Sequence, residues 1–265
     1  LFTRNLLSEA DMNESELLYF RPKTMIELEK LMKNYEGRYL FLTGGDYNTK
    51  GYQVEDVLID LQDLSLDLIE EQDQLVEIGG LVPLDKLFKD DSIWADFREA
   101  LSIEGGWNIR NGLSVDNFLR VANGRSPLLI CLRALDIEVL VQPEIGLITL
   151  DDYLASEYNV RDYFIERIRL TKPKSVAYEQ VARTPKDLPI VCVAVVQDLD
   201  GSVIVTVGGH EDLLGGLVIT GDEPIDPKKI RELFDDTDDE WASGAYRQDV
   251  AEILFIRCLE KLGLR

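Results

Sequence analysis

The chain has 265 residues with 45% hydrophobic content, enough to bury a substantial core as one large domain or two moderate ones. Fifty acidic residues against 28 basic ones leave a formal charge of -22, a surface that repels phosphate backbones and argues against nucleic acid as a partner. No stretch approaches the roughly 20 apolar residues of a membrane span and residues 1–14 lack a secretory signal's order, so a soluble, cytoplasmic protein is expected.

Residues 1–16 read as a polar tail, and Leu17 to Phe20 as a short strand ending before Arg21-Pro22. Thr24 and Glu27 have capping-box spacing, and Met25, Leu28, Leu31, Met32 and Tyr35 recur at helical intervals until Gly37. Tyr39 to Leu42 is an apolar strand that runs straight into Thr43-Gly44-Gly45-Asp46-Tyr47-Asn48-Thr49, a turn of glycine and small polar groups. The next strand is Val57 to Leu61. A glycine turn at the carboxyl end of a parallel-type strand can aim backbone N–H groups at an anion.

Leu75 to Ile78 is predicted as a strand, with helices near Leu84 to Phe88 and Ile93 to Ser102. The stretch from Ile109 to Asp136 reads as a polar loop feeding a buried helix over about Ser126 to Leu135, followed by a strand at Ile137 to Val141. Asp151 to Asn159 is polar and marks the expected domain boundary. Beyond it, Tyr163 to Leu170, Val176 to Ala182, Ile190 to Gln197 and Val203 to Gly208 predict a small antiparallel sheet, with Asp200-Gly201 at a hairpin turn. Helices over Pro227 to Phe234 and about Ala245 to Leu262 close the chain, with the acidic run Asp235 to Glu240 as a solvated connection between them.

Cys131, Cys192 and Cys258 lie far apart in apolar runs, so buried free thiols are expected rather than disulfides or metal ligands. His210, the one histidine, follows two glycines at a turn and reads as a surface residue. The chain thus offers no triad, no metal set and little acid–base chemistry.

Several stretches carry a family resemblance: Tyr19-Phe20-Arg21-Pro22-Lys23-Thr24, Leu42-Thr43-Gly44-Gly45, Val57-Leu58-Ile59-Asp60-Leu61, Ile78 to Leu84, Ile109-Arg110-Asn111, Ala134-Leu135-Asp136, Ala177 to Arg183, and Ala245-Tyr246-Arg247. Taken in this order the chain resembles the flavin-binding, medium subunits of the molybdenum hydroxylases, of the xanthine dehydrogenase and carbon monoxide dehydrogenase type. The resemblance implies an α+β fold: an FAD-binding domain over 17–158, made of two α/β subdomains (about 17–60 and 61–158), then a small α+β C-terminal domain over 159–265 with an antiparallel sheet and helices. It also implies an FAD whose pyrophosphate is held by two loops. Thr43, Gly44, Gly45, Asp46, Tyr47 and Asn48 match the first loop; Ser114, Val115, Asp116 and Asn117 match the second.

The second loop departs from the family's R-N-x-A-T-I-G-G-N pattern. Asp116 and Asn117 replace its paired glycines, and Phe118 replaces its asparagine. Side chains there hinder a close approach and a positive φ. A carboxylate facing a phosphate at about 4 Å adds repulsion of roughly 4 kcal/mol at an effective dielectric of about 20. Pro127 replaces a cofactor-contacting aspartate and Gln180 a common lysine, while Arg120 or Arg125 offers compensating charge.

The resemblance therefore implies an FAD-binding electron-transfer subunit of an oxidoreductase complex. Its partners are an iron–sulfur and a molybdopterin subunit, and its acceptor is NAD or another oxidant. The alternative is a homologue that has lost normal FAD binding and acts as a structural or assembly subunit. An independent flavin oxidase is a weaker third reading, because neither loop has a histidine or cysteine nearby for covalent flavin attachment.

Overall fold

The computed structural model describes residues 18–44, 57–91, 93–156, 163–221 and 223–265. The predicted tail, Leu17, and the second half of the glycine turn lie outside the described residues.

Three sheets follow one another along the chain. The first is parallel and three-stranded, in the order β1 (Leu18–Phe20), β3 (Val57–Asp60), β2 (Tyr39–Leu42). Helix α1 (Met25–Asn34) covers it, with Leu28 in the same apolar cluster as Phe41, Val57 and Ile59. The cap forms, with its return bond shifted by one residue: Thr24 Oγ1 accepts from Glu27 N at 3.2 Å, and the Glu27 carboxylate accepts from Lys23 N, just before the cap, at 2.8 Å.

The second sheet is antiparallel, in the order β4 (Ile69–Gln72), β5 (Leu75–Gly79), β8 (Phe164–Thr171), β6 (Glu138–Gln142), β7 (Gly146–Thr149). Helices α2 (Leu84–Lys89), α3 (Ala95–Glu104), α4 (Trp107–Gly112), α5 (Val115–Val121), α6 (Pro127–Ala134) and α7 (Leu150–Ala155) connect its strands. The third sheet runs β12 (Gly215–Ile219), β11 (Val203–Gly208), β10 (Val191–Gln197), β9 (Ser175–Val181), all antiparallel. A 3₁₀ segment, Pro227–Phe234, and helix α8 (Gly244–Lys261) complete the chain.

Strand β10 explains how the last sheet is joined to the rest. Every one of its residues is buried. Because side chains alternate along a strand, Cys192, Ala194 and Val196 join the core around α6, whereas Val191, Val193 and Val195 join the core under α8. A strand buried on both faces needs an unbroken apolar run, and V-C-V-A-V-V supplies it. Thr206 on β11 adds a polar tie to the helix, its hydroxyl donating to the Ile130 carbonyl at 2.7 Å.

Several sequence expectations change. Tyr163 to Leu170 was expected in the C-terminal sheet; instead β8 pairs with β5 and β6 at the centre of the second sheet. Its apolar residues fit either sheet, and the decisive close packing comes from glycines: a Cβ on Gly80 would lie 1.8 Å from the Ile165 carbonyl oxygen. The supposed polar connection from Asp151 contains α7, capped by Thr149, whose hydroxyl accepts from Asp152 N at 3.0 Å. The supposed loop after Ile109 is mostly helix, α4 and α5. Pro227–Phe234 is helical over the expected bounds, as a 3₁₀ helix. Strands β4, β7 and β12, unforeseen from the sequence, lie at sheet edges or in short hairpins, where half-exposed residues leave a weak pattern.

Candidate functional site

The end of β2 and the start of α5 meet. Gly44 has φ +83°, and the space where its Cβ would stand is open to 4 Å. That backbone conformation favours glycine. Gly45, Asp46, Tyr47 and Asn48 lie outside the described residues, so the first loop is seen only through Thr43 and Gly44.

Ser114 begins α5. Its hydroxyl accepts from Asn117 N at 3.2 Å, a standard N-cap that gives the helix a start with no glycine. The neighbouring N–H groups are engaged as well: Val115 N donates to Val82 O at 3.0 Å, Asp116 N to Gly80 O at 2.8 Å, and Phe118 N to Ser114 O at 2.8 Å. The donors of residues 115–118, which a free helix N-terminus would offer to an anion, are thus turned to the protein.

Asn117 ties the two segments together. Its Oδ1 accepts from the Thr43 hydroxyl at 3.1 Å and its Nδ2 donates to the Gly44 carbonyl. Asp116 turns the other way. It is fully buried, its two carboxylate oxygens receive Arg120 Nε and Nη2 at 2.9 and 3.0 Å, and one also accepts Ile165 N at 2.8 Å. Arg120 additionally donates to the Tyr163 carbonyl at 2.6 Å. Burial works against the Arg120 cation, but the Asp116 carboxylate prevails and the guanidinium pKa is raised.

This geometry corrects two expectations. Asp116 does not present its charge to the space between the loops; it is an internal ion pair that fastens α5 to β8. Nor do positions 116 and 117 require a positive φ, since both lie in the first turn of α5 and neither is among the positive-φ residues. Val115 and Phe118 are core residues beside them.

The other marked positions are also occupied by structure. Pro127 is the first residue of α6, and the capping carboxylate comes from Glu104 at the end of α3, which accepts Ser126 Oγ at 2.5 Å and Leu128 N at 2.7 Å. Burial raises the Glu104 pKa to about 7, against the lowering influence of those two hydrogen bonds. Gln180 accepts from the Tyr178 hydroxyl at 2.7 Å. Arg247 of the Ala245-Tyr246-Arg247 motif is completely buried, donating to the carbonyls of Ile190, Thr237 and Ala242 and to Asp239. Arg247 and the capping hydrogen bonds hold Asp239 down to about 2, against burial.

Cys131, Cys192 and Cys258 are buried and unbridged; burial pushes Cys192 up to about 12 and raises the other two thiols as well. His210 is half-buried, its Nδ1 accepting from Asp212 N at 3.3 Å. Among the described residues no three His, Cys, Asp or Glu side chains gather as a metal site. No helix among them is long and apolar enough to cross a membrane. Sequence reasoning missed Glu104 altogether, although its place two residues before Gly106 marks a helix end. It named Asn117 without foreseeing that its amide spans 73 residues to Gly44.

The three consecutive sheets and their covering helices define an α+β architecture. That architecture matches solved chains over nearly their whole length. Quinoline 2-oxidoreductase from Pseudomonas putida 86 aligns over 94% of this chain and 98% of its own, with TM-score 0.71 and 16% identity. Reconstituted CO dehydrogenase from Oligotropha carboxidovorans aligns over 94% and 98%, with TM-score 0.70 and 19% identity. CO dehydrogenase from Hydrogenophaga pseudoflava, in a form lacking the Mo-pyranopterin moiety of the molybdenum cofactor, aligns over the same shares with TM-score 0.68 and 16% identity. At these identities the likeness is one of fold. No protein-family model matches the sequence, and no curated protein matches it.

Proposed function

We propose that the chain is a subunit of a molybdenum-hydroxylase-type oxidoreductase complex, occupying the place of the flavin-binding subunit and acting there as a structural or assembly component. Support for the place is the end-to-end correspondence with a chain of quinoline 2-oxidoreductase, which leaves little of either chain unmatched. Its partners are then an iron–sulfur and a molybdopterin subunit.

One observation carries the second half of the proposal: Asn117 bridges Thr43 and Gly44 while the N–H groups of residues 115–118 are engaged inside the protein. A pyrophosphate between the two loops needs unengaged donors and room for two charged groups. The described residues do not fit that requirement. Displacing the Asn117 bridge costs the two hydrogen bonds it makes, about 1 kcal/mol each, before any phosphate contact is formed.

A second reading, an FAD-carrying electron-transfer subunit that reduces NAD or another acceptor, draws support from Gly44, with its positive φ and open Cβ side. Two measurements separate the readings. Titration of the purified chain with FAD, followed by flavin fluorescence, is expected to show no saturable binding at micromolar concentration; saturation there refutes the structural reading in favour of the electron carrier. The tagged chain isolated from its own cells is expected to carry iron and molybdenum in elemental analysis, and their absence from every chromatographic fraction refutes the assignment to such a complex.

A further inference from the structure

Two arginines converge on one tryptophan from separate parts of the chain. Arg125 lies in the turn between α5 and α6, Arg183 follows β9, and Trp241 sits in the connection leading to α8. The guanidinium carbons lie 4.8 Å (Arg125) and 4.0 Å (Arg183) from the indole centroid, which puts the two cations within about 9 Å of each other.

Arg125 is half-buried and Arg183 exposed, and both lack protein partners among the described residues. The nearly covered arginines Arg110, Arg120, Arg133 and Arg247 each meet a carboxylate. Among the described residues neither Arg125 nor Arg183 pairs with a carboxylate or donates a side-chain hydrogen bond, and Arg125 Nε is buried without an acceptor. This occurs in a chain with 50 acidic residues against 28 basic ones, where counter-charges are plentiful. The acidic run beside Trp241 does not supply them: Asp239 pairs with Arg247, and Asp238 accepts Gly244 N at 3.2 Å.

Arg125 and Trp241 stand on fixed backbone. The Arg125 turn is closed by Asn123 Oδ1 on Arg125 N at 3.0 Å and docked by Gly124 N on Glu211 O at 2.9 Å and Gly209 N on Gly124 O at 2.8 Å. A Cβ on Gly124 would lie 2.2 Å from the Leu213 carbonyl oxygen, so only glycine permits this contact. Trp241 N donates to Asp239 Oδ1 at 2.8 Å, and Asp239 is itself gripped by Arg247. Cations held in place before a ligand arrives lose little entropy on binding it.

From this geometry we infer that Arg125 and Arg183, stacked on Trp241, bind the phosphate group of a small molecule. A guanidinium stacked by its face keeps its N–H edge for an oxyanion, and each edge matches two oxygens. A phosphate offers three or more terminal oxygens to two such forks, where a single carboxylate must share two oxygens between them.

The test is calorimetric titration of the full chain with inorganic pyrophosphate. Saturable binding with one site per chain is expected, weakened about tenfold or more by Arg125→Gln and by Arg183→Gln. Citrate should bind more weakly than pyrophosphate. The assignment is overturned by no saturable heat at millimolar pyrophosphate, by glutamine variants that bind as the parent does, or by equal affinity for citrate. Circular dichroism checks folding; if Arg125→Gln does not fold, Arg183→Gln, where the side chain makes no hydrogen bond among the described residues, decides the matter.

Discussion

Replacing Asp116 by alanine deletes a fully buried carboxylate that holds Arg120 through two hydrogen bonds and caps Ile165 N with a third. Arg120 keeps its bond to the Tyr163 carbonyl but loses its counter-charge, in a position where its side chain is only 7% exposed. Removing one partner of such a buried pair costs about 3–5 kcal/mol, mostly the desolvation of the stranded ion. For a chain of this size each kcal/mol moves the melting temperature by roughly 2–4 °C, so a fall on the order of 10 °C is expected in calorimetry. Replacing both partners, as Asp116→Leu with Arg120→Met, should recover most of that loss, because apolar residues of similar volume leave no uncompensated charge. A melting temperature for Asp116→Ala within about 1 °C of the parent, or a double variant worse than either single one, would refute the account of Asp116 as an internal fastener. The same logic predicts that Asp116→Gly destabilises the fold without creating flavin affinity, the opposite of what electrostatic repulsion between the loops would give.

Asn117→Gly frees Thr43 and Gly44 at once, and FAD or pyrophosphate affinity at the β2–α5 junction should rise by about tenfold in a fluorescence or calorimetric titration; no gain would mean that something other than the amide bridge closes the gap. For Glu104 the folded pKa, about 7, lies above the ordinary carboxyl value of 4.5, so its favourable contribution is complete below about pH 4.5 and is lost as pH rises toward 7, by roughly 3 kcal/mol in all. Melting curves of Glu104→Gln should therefore gain on the parent between about pH 5 and pH 8, and parallel pH profiles would contradict a buried, reluctantly ionised carboxyl. Arg247→Met strands the carbonyls of Thr237 and Ala242 together with Asp239, and a loss of about 3–5 kcal/mol is expected, with faster amide exchange over residues 237–242 as its local signature.

Much of the framework was legible because it depends on local pattern. The helical spacing around Leu28, the turn at Asp200-Gly201 and the apolar run of β10 each impose one conformation regardless of distant contacts. The sheet that takes up β8 was not legible, because the same alternating residues suit either neighbour and the choice rests on Gly79 and Gly80 letting other backbones approach. The direction of Asp116 was hidden for a related reason. An Asp and an Arg four residues apart usually signal a solvated helix face, and nothing nearby in the sequence says that Ile165 N covers the carboxylate. Lost glycines were visible, but their consequence depended on rotation about the axis of α5, which turns Asp116 inward and Asn117 toward Gly44.

Strand β10 works as a party wall. Cys192, Ala194 and Val196 serve the rooms on the α6 side, Val191, Val193 and Val195 those on the α8 side, and no layer of solvent separates them. A fragment ending before β9 would leave Ile130 and its neighbours on α6 facing water, and the last sheet alone would show the opposite half of the same wall. Neither half can be trimmed or swapped on its own terms, because the one strand supplies alternate side chains to both cores.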